Sequence, residues 1–235
     1  MECPCCGWQG AAFADFEGGR GVECPSCRAH GRHRLLWHFF RYEGRGPLAA
    51  ARSVLHSAPE PCLQPLFAHL PPGGYVTTDL TRADVDLRCD LQAIPLPDCT
   101  FDLLLCSHVL EHVDDDRQAM RELHRVLRPG GLALVCVPLD ESRDETYEDP
   151  TVVDPKDRER EFLQFDHVRL YGNDMEARLR EAGFDVVIPQ YARTLEPALA
   201  ERHGMNDPGM WVCARRVGGD PVSAGGPDRV SRSSA

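Results

Sequence analysis

The residues best suited to chemistry stand first in the chain. Cys3-Pro4-Cys5-Cys6 and Cys24-Pro25-Ser26-Cys27 are two Cys-x2-Cys turns with 17 residues between them, within the spacing by which four thiolates surround one tetrahedral zinc ion. Each turn aims two sulfurs at the metal, and the intervening residues need only form a hairpin, for which Gly18-Gly19 is a fitting tip. Cys3, Cys6, Cys24 and Cys27 are the expected ligands. Cys5 is set aside, because only Cys3 with Cys6 keeps the two-residue spacer in both turns. So small a unit buries too little apolar surface to fold alone, so the ion supplies much of its folding free energy and its role is structural. His30, Arg32, His33 and Arg34 follow directly. A grip on an anionic substrate and the solvated start of a docking helix are both open readings for them.

Positioning any further chemistry falls to the rest of the chain. Its 235 residues, 42% hydrophobic and 27% charged, suit one soluble α/β domain with a small appendage. The expected partition is a zinc ribbon over 1–33, connecting helices over 34–52, the main domain over 53–216 and a disordered tail of Gly, Ser, Pro and charge over 217–235. From residue 53, apolar runs alternate with amphipathic segments, the pattern of a parallel sheet with helices on its faces. Strands are predicted at Ser53–His56, Tyr75–Thr78, Val85–Arg88, Phe101–Cys106, Leu132–Val137, Asp185–Pro189 and Met210–Ala214. Ala119, Met120, Leu123, Val126 and Leu127 recur at helical spacing within a helix from Gln118 to Leu127, which Arg128-Pro129-Gly130-Gly131 ends.

Charge and cysteine usage narrow the function. The net charge is −11, and beyond residue 53 the chain carries 32 acidic against 19 basic residues, which argues against a basic face for nucleic acid. Membrane insertion is not expected, since no window approaches 18 uninterrupted apolar residues, and the amino terminus lacks the basic and apolar regions of an export signal. The protein is expected to be cytoplasmic, where its eleven cysteines read as metal ligands and buried thiols, not disulfides. A homodimer is left open.

One long stretch then carries a family likeness: Cys89-Asp90-Leu91, Ile94-Pro95-Leu96-Pro97-Asp98, Phe101-Asp102, His108-Val109-Leu110-Glu111-His112-Val113 and Glu122-Leu123-His124-Arg125-Val126-Leu127-Arg128-Pro129-Gly130-Gly131. It resembles the class I S-adenosylmethionine-dependent methyltransferases, in particular methyltransferase type 11, over about residues 53–138 and more weakly to 215. Tyr147-Glu148-Asp149-Pro150 and Asp166-His167-Val168-Arg169 resemble a narrower family that pairs this domain with such cysteine turns. The likeness implies a Rossmann-like seven-stranded methyltransferase sheet with helices on both faces, beside the small amino-terminal zinc ribbon. Its ligand lies outside the carboxyl ends of the strands, beside the first. Asp79, ending the second strand, is then suited to both ribose hydroxyls of S-adenosylmethionine, with Leu80 beside it. Asp90 is suited to the adenine amino group and the Leu91 amide to the ring, while Ser107 and His108 leave the fourth strand where cofactor and acceptor meet. One departure stands out: the first loop, His56-Ser57-Ala58-Pro59-Glu60, has no glycine, whereas the family uses one to permit positive φ. The methionine end is then expected against helix-start amides and the side chains of Ser57 or Glu60, with His56 and Ala58 alongside.

After the fifth strand, residues 139–170 form an acidic insertion of the length that builds lids. Pro155–Phe162 reads as a capped helix within it, and Tyr171–Ala182 as the next helix, closed by Gly183. Methyl transfer is an in-line displacement that asks mainly for alignment, and a base is needed only for an acceptor that carries a proton. His167 is the first candidate base, oriented by Asp166, with His112 and His108 next. Arg169 is read either as an anion grip or as a partner for nearby acids. The favoured acceptor is a small molecule, such as a sugar or natural product, methylated on oxygen or nitrogen. A zinc-bearing ribosomal RNA methyltransferase and a non-catalytic scaffold with a degenerate cofactor site are the two alternatives.

Overall fold

The computed structural model describes residues 1–16 and 19–216; the expected hairpin residue Gly18 and the expected tail 217–235 lie outside them. Strands β1 (Ala14–Phe16) and β2 (Gly19–Glu23) pair antiparallel and connect the two cysteine turns. Helices α1 (Gly31–Arg41) and α2 (Arg45–Ala50) follow. α1 starts three residues ahead of the expected boundary at 34, because the His33 ring reaches back to accept the His30 backbone N–H at 3.0 Å and caps the first turn.

Next along the chain are β3 (Val54–Ser57), β4 (Tyr75–Asp79), β5 (Leu87–Arg88), β6 (Phe101–Ser107), α3 (Asp116–Val126) and β7 (Leu127–Cys136). The insertion holds β8 (Tyr147–Glu148), α4 (Pro155–Phe162) and β9 (Arg169–Leu170), and α5 (Met175–Glu181), β10 (Asp185–Ile188), α6 (Pro197–His203) and β11 (Met210–Ala214) complete the chain. Seven strands join in the order β10-β11-β7-β6-β3-β4-β5. β3 to β7 run parallel, and β11 is antiparallel to both of its neighbours. Central β6 is apolar along most of its length, as a strand covered on both faces must be. Leu104 and Cys106 enter one core layer with Met120, Leu123 and Phe184, and Leu103 and Leu105 enter the other with Leu35, Phe39 and Met210, as the two-residue period requires. Beyond β3 the chain order reverses direction across the sheet, which opens a crevice at the carboxyl ends of β3 and β6.

Three of the departures from the sequence reading have identifiable reasons. β5 is shorter than Val85–Arg88 because the Asp86 carboxylate turns inward to accept from Thr77 N at 2.9 Å and Thr77 Oγ1 at 2.7 Å, displacing backbone pairing. β7 begins at Leu127 instead of Leu132, since the Pro129-Gly130-Gly131 stretch is held in the sheet by Gly130 N donating to Arg215 O at 2.6 Å. α5 begins at Met175 instead of Tyr171, because Tyr171 is drawn into a bridge with Leu139 and its hydroxyl donates to Asp116 Oδ2 at 2.8 Å.

The cysteine module is docked onto the main domain by charged groups that the fold has buried. Arg34, 1% exposed, donates to the carbonyls of Val22 and Ala29 in the module and of His203 and Gly204 at the end of α6, and its guanidinium stacks on Phe13 at 3.8 Å. Delocalised charge and five donors suit arginine to such a junction. A second junction is Glu60, whose carboxylate lies 3.2 Å from His33 Nε2 of α1 and 2.6 Å from His56 Nε2 of β3. Burial alone would raise the Glu60 pKa, but these two imidazoles hold it well below the usual carboxylate range. Glu60→Gln leaves both rings without an anionic partner. It should lower stability by about 3 kcal/mol, the order found when one member of a buried ion pair is removed; an unchanged urea midpoint would show that the bridge contributes nothing.

Candidate active site and cysteine centre

At the amino-terminal turns, the four expected sulfurs lie within 4.8 Å of one another. Cys3 Sγ and Cys27 Sγ are 3.6 Å apart, and Cys6 Sγ and Cys24 Sγ 3.7 Å. A tetrahedral thiolate site with metal–sulfur bonds of about 2.3 Å has edges of about 3.8 Å, and a disulfide would need about 2.05 Å. Cys5 is not one of the four, and its Sγ donates to His33 O at 3.9 Å. The set therefore has both the donors and the spacing for one zinc ion.

The second centre is a cleft of about 470 Å³ at the carboxyl ends of the parallel strands. Ser57 and Ala58 enter it from β3, Thr78, Asp79 and Leu80 from β4, Asp90 and Leu91 from the turn after β5, and His108 from β6. Asp79 Oδ1 accepts the Thr81 and Arg82 amides at 2.8 and 2.9 Å, and among the described residues Oδ2 has no such partner. Burial pulls the Asp79 pKa upward, but those amides hold the carboxyl below its ordinary value, so an anionic acceptor faces the cleft. Asp90 caps a short turn by accepting Gln92 N at 2.8 Å. The Ser57 hydroxyl is buried without a hydrogen-bond partner among the described residues, a free donor and acceptor for the polar end of a cofactor.

The missing glycine is answered by strain. Ala58 adopts φ +48° and His108 φ +53°, left-handed conformations that cost a non-glycine residue about 1–2 kcal/mol. Both line the cleft, so the chain makes the turn that glycine would allow, at an alanine. His56 and Glu60, expected to line the cofactor pocket, are absent from its lining. His56 is buried between the Tyr75 hydroxyl at 2.8 Å and Glu60, so the two form the bridge to α1. Ser107 is buried, also outside the lining, with its hydroxyl unpartnered.

The insertion closes one side of the cleft. Arg169 is buried, donates to the carbonyls of Leu110, Val113 and Asp114, and pairs with Glu148 at 3.2 Å, so it staples the insertion and is not free to hold a substrate. His112 lines the cleft on a single 3-10 turn, Leu110–His112. His167 lies behind it, the two rings edge to face at 4.7 Å, and is not part of the lining. Asp166 is the partner of His112, not of His167: His112 Nδ1 is 3.4 Å from its carboxylate and 3.3 Å from its backbone carbonyl. Burial drives the His108 imidazole well below its ordinary pKa and lowers that of His167. Burial also pushes the Glu111 carboxyl up to about 8. Cys89, Gln92, Val109, Val113 and Asp114 also line the cleft. Neither spacing nor periodicity singles these residues out; they neighbour Asp90, His108 and His112 in sequence. A larger hollow of about 620 Å³ between α1 and α2, lined by Trp37, Phe40 and Leu66 among others, shares no residue with the strand ends.

Comparison with known proteins places this geometry. A family model described as a methyltransferase domain matches residues 75–135. Over 49 residues, 21% of the chain, the sequence is 47% identical to the ubiquinone/menaquinone biosynthesis C-methyltransferase UbiE of Xanthomonas axonopodis pv. citri (strain 306), covering 19% of that protein. Over 55 residues, 23% of the chain, it is 46% identical to a Mycolicibacterium smegmatis protein named a probable S-adenosylmethionine-dependent methyltransferase, covering 21% of it. The match thus spans about a fifth of the length of these curated relatives. The fold is similar to that of the S-adenosylmethionine dependent methyltransferase from Mesorhizobium loti, with a TM-score of 0.50 and 21% identity, over 77% of this chain and 98% of that one.

Ala58→Gly checks the strained turn. Alanine-to-glycine exchange ordinarily costs about 0.5–1 kcal/mol, but here it removes a left-handed alanine and should stabilise the protein by about 0.5 kcal/mol. A fall in the urea midpoint would contradict the assigned backbone. Parallel strands in this order, acids at the end of β4 and after β5, and a matched segment over residues 75–135 that contains both make this chain similar, in that segment and in fold, to the S-adenosylmethionine-dependent methyltransferases.

Proposed function

We propose that this protein transfers the methyl group of S-adenosylmethionine to a small-molecule acceptor, and that zinc at Cys3, Cys6, Cys24 and Cys27 is structural. The observation that carries the reading is the convergence of Asp79, Asp90, Ser57 and the strained Ala58 and His108 on one cleft. Asp79 Oδ2 would accept from the ribose hydroxyls and Asp90 from the adenine amino group, while the Ser57 hydroxyl would serve the methionine end. The cofactor supplies an electrophilic methyl group whose departure leaves a neutral thioether. What the chain supplies is alignment and exclusion of water: the insertion, stapled by Arg169, covers the acceptor side, and His108 and His112 present imidazoles there. A cleft of about 470 Å³ is of the size that takes a cofactor with a small partner. The acidic balance of the main domain supports a small acceptor over RNA, whose affinity rests on cationic contacts to phosphate. The acceptor atom is an oxygen or nitrogen, such as a sugar or natural-product hydroxyl or amine. The C-methyltransferase relatives match over too short a stretch to bear on the acceptor.

Calorimetry with S-adenosylmethionine and S-adenosylhomocysteine on zinc-loaded protein tests the cofactor site. Binding in the micromolar range is expected, weakened by about tenfold or more in Asp79→Ala, which removes charge-assisted hydrogen bonds worth about 1.5–3 kcal/mol. A folded protein that binds neither ligand would make the domain a scaffold. For the cysteine centre, Cys24→Ser or a strong chelator should lower the melting temperature and expose the first 30 or so residues to limited proteolysis; an unchanged digestion pattern would rule out a structural ion.

A further inference from the structure

Glu111 is a carboxylate with no visible reason to be where it is. Its side chain is 1% exposed, and neither oxygen has a hydrogen-bond partner among the described residues. His108 Nδ1 stands 3.3 Å from Oε1 without hydrogen-bond geometry. An ionised carboxylate in such a place costs several kcal/mol unless a cation faces it, and a protonated one would leave its own O–H unpaired.

Two imidazoles face the same point. One ligand atom from each of Glu111, His112 and His167 lies within 4.8 Å of the others. His167 Nδ1 is 3.0 Å from Phe162 O, and His112 Nδ1 is 3.3 Å from Asp166 O. A carbonyl oxygen only accepts, so in each contact Nδ1 carries the proton and Nε2 keeps its lone pair. A ring nitrogen held on a backbone carbonyl is the usual outer-shell arrangement of a metal-binding histidine. The segments that bring these residues together are tied by backbone contacts. Val168 N donates to Glu111 O at 2.9 Å, and Arg169 binds the carbonyls of Leu110, Val113 and Asp114 on either side.

We propose that Glu111, His112 and His167 bind a divalent first-row transition metal ion at the wall of the cleft, separate from the four-cysteine centre. Two imidazoles and one carboxylate are a donor set for zinc, iron or manganese and less suited to calcium or magnesium, which take oxygen ligands. Three protein ligands leave positions open. Because His112 lines the cleft, those positions face the side where the acceptor enters, for water or an acceptor oxygen. The assignment to the acceptor side rests on the methyltransferase reading; the metal site itself does not.

The test uses the full-length protein, saturated with zinc, desalted and analysed for metal per chain by mass spectrometry. About two zinc ions per chain are expected, against about one in Glu111→Gln and in His167→Ala and about one in Cys24→Ser. Zinc-saturated protein should take up no further Mn2+, while protein carrying zinc only at the cysteines should bind one Mn2+, read by electron paramagnetic resonance and lost in Glu111→Gln. Melting curves confirm that each variant is folded. One zinc per folded wild-type chain, or a second equivalent that survives both Glu111→Gln and His167→Ala, would overturn the site. S-adenosylmethionine calorimetry on the same samples reads the methyltransferase assignment separately, so either can fail alone.

Discussion

A carboxylate held between two buried imidazoles ties the parts of this protein together. Glu60 sits in the loop after β3, His56 within β3, and His33 on the helix that follows the cysteine turns. The loop that makes one wall of the cleft is thereby fixed to the module that carries the four cysteines. A flexible connection would have left the strained turn at Ala58 free to relax. Here both sides of that turn are held: Glu60 by the imidazoles, and Ala58 N by Thr78 O at 2.7 Å. Strain at a ligand-facing position persists when the surroundings over-determine it.

The same economy governs the opposite wall. Arg169 could have been a substrate anchor, but five donors buried among carbonyls are better used in holding one segment to another. By satisfying the carbonyls around the Leu110–His112 turn, it sets the insertion against β6 and aligns His112, Asp166 and His167 in depth. Arg178 continues the network to Asp116 at 3.1 Å and Glu148 at 2.9 Å, so α3, α5 and the insertion share one set of charges, of which Asp116, Arg169 and Arg178 are buried. Each is paired, which is the condition for burying them at tolerable cost. Glu111 is the exception, and that is why it stands out.

Much of this was legible in the chain. The four cysteines, the alternation of apolar runs and helices, and the acids ending the second and third strands of the sheet follow from spacing and periodicity, which are local properties. Met210–Ala214 is a strand with the very limits that its apolar run marks. Side-chain partnerships were not legible, because they join residues far apart in sequence. His56 and Glu60 adjoin the cofactor loop, and nothing in their spacing tells that His33, 27 residues before Glu60, would draw the carboxylate away from the cleft. Asp166 is next to His167 in sequence but serves His112, because a turn places neighbouring side chains on different faces.

Residue types and their order along the chain were settled locally: thiols in two matched turns, carboxylates at successive strand ends, and imidazoles after the fourth strand of the sheet. Local periodicity and turn chemistry suffice for that. Which of them meet depends on how distant segments pack. Packing the insertion against β6 buried Glu111 beside two histidines, and docking the cysteine module turned a candidate ligand-binding acid into a brace. Burial is a property of the whole fold, and it is burial that decides whether a charged side chain faces a ligand, a partner or nothing.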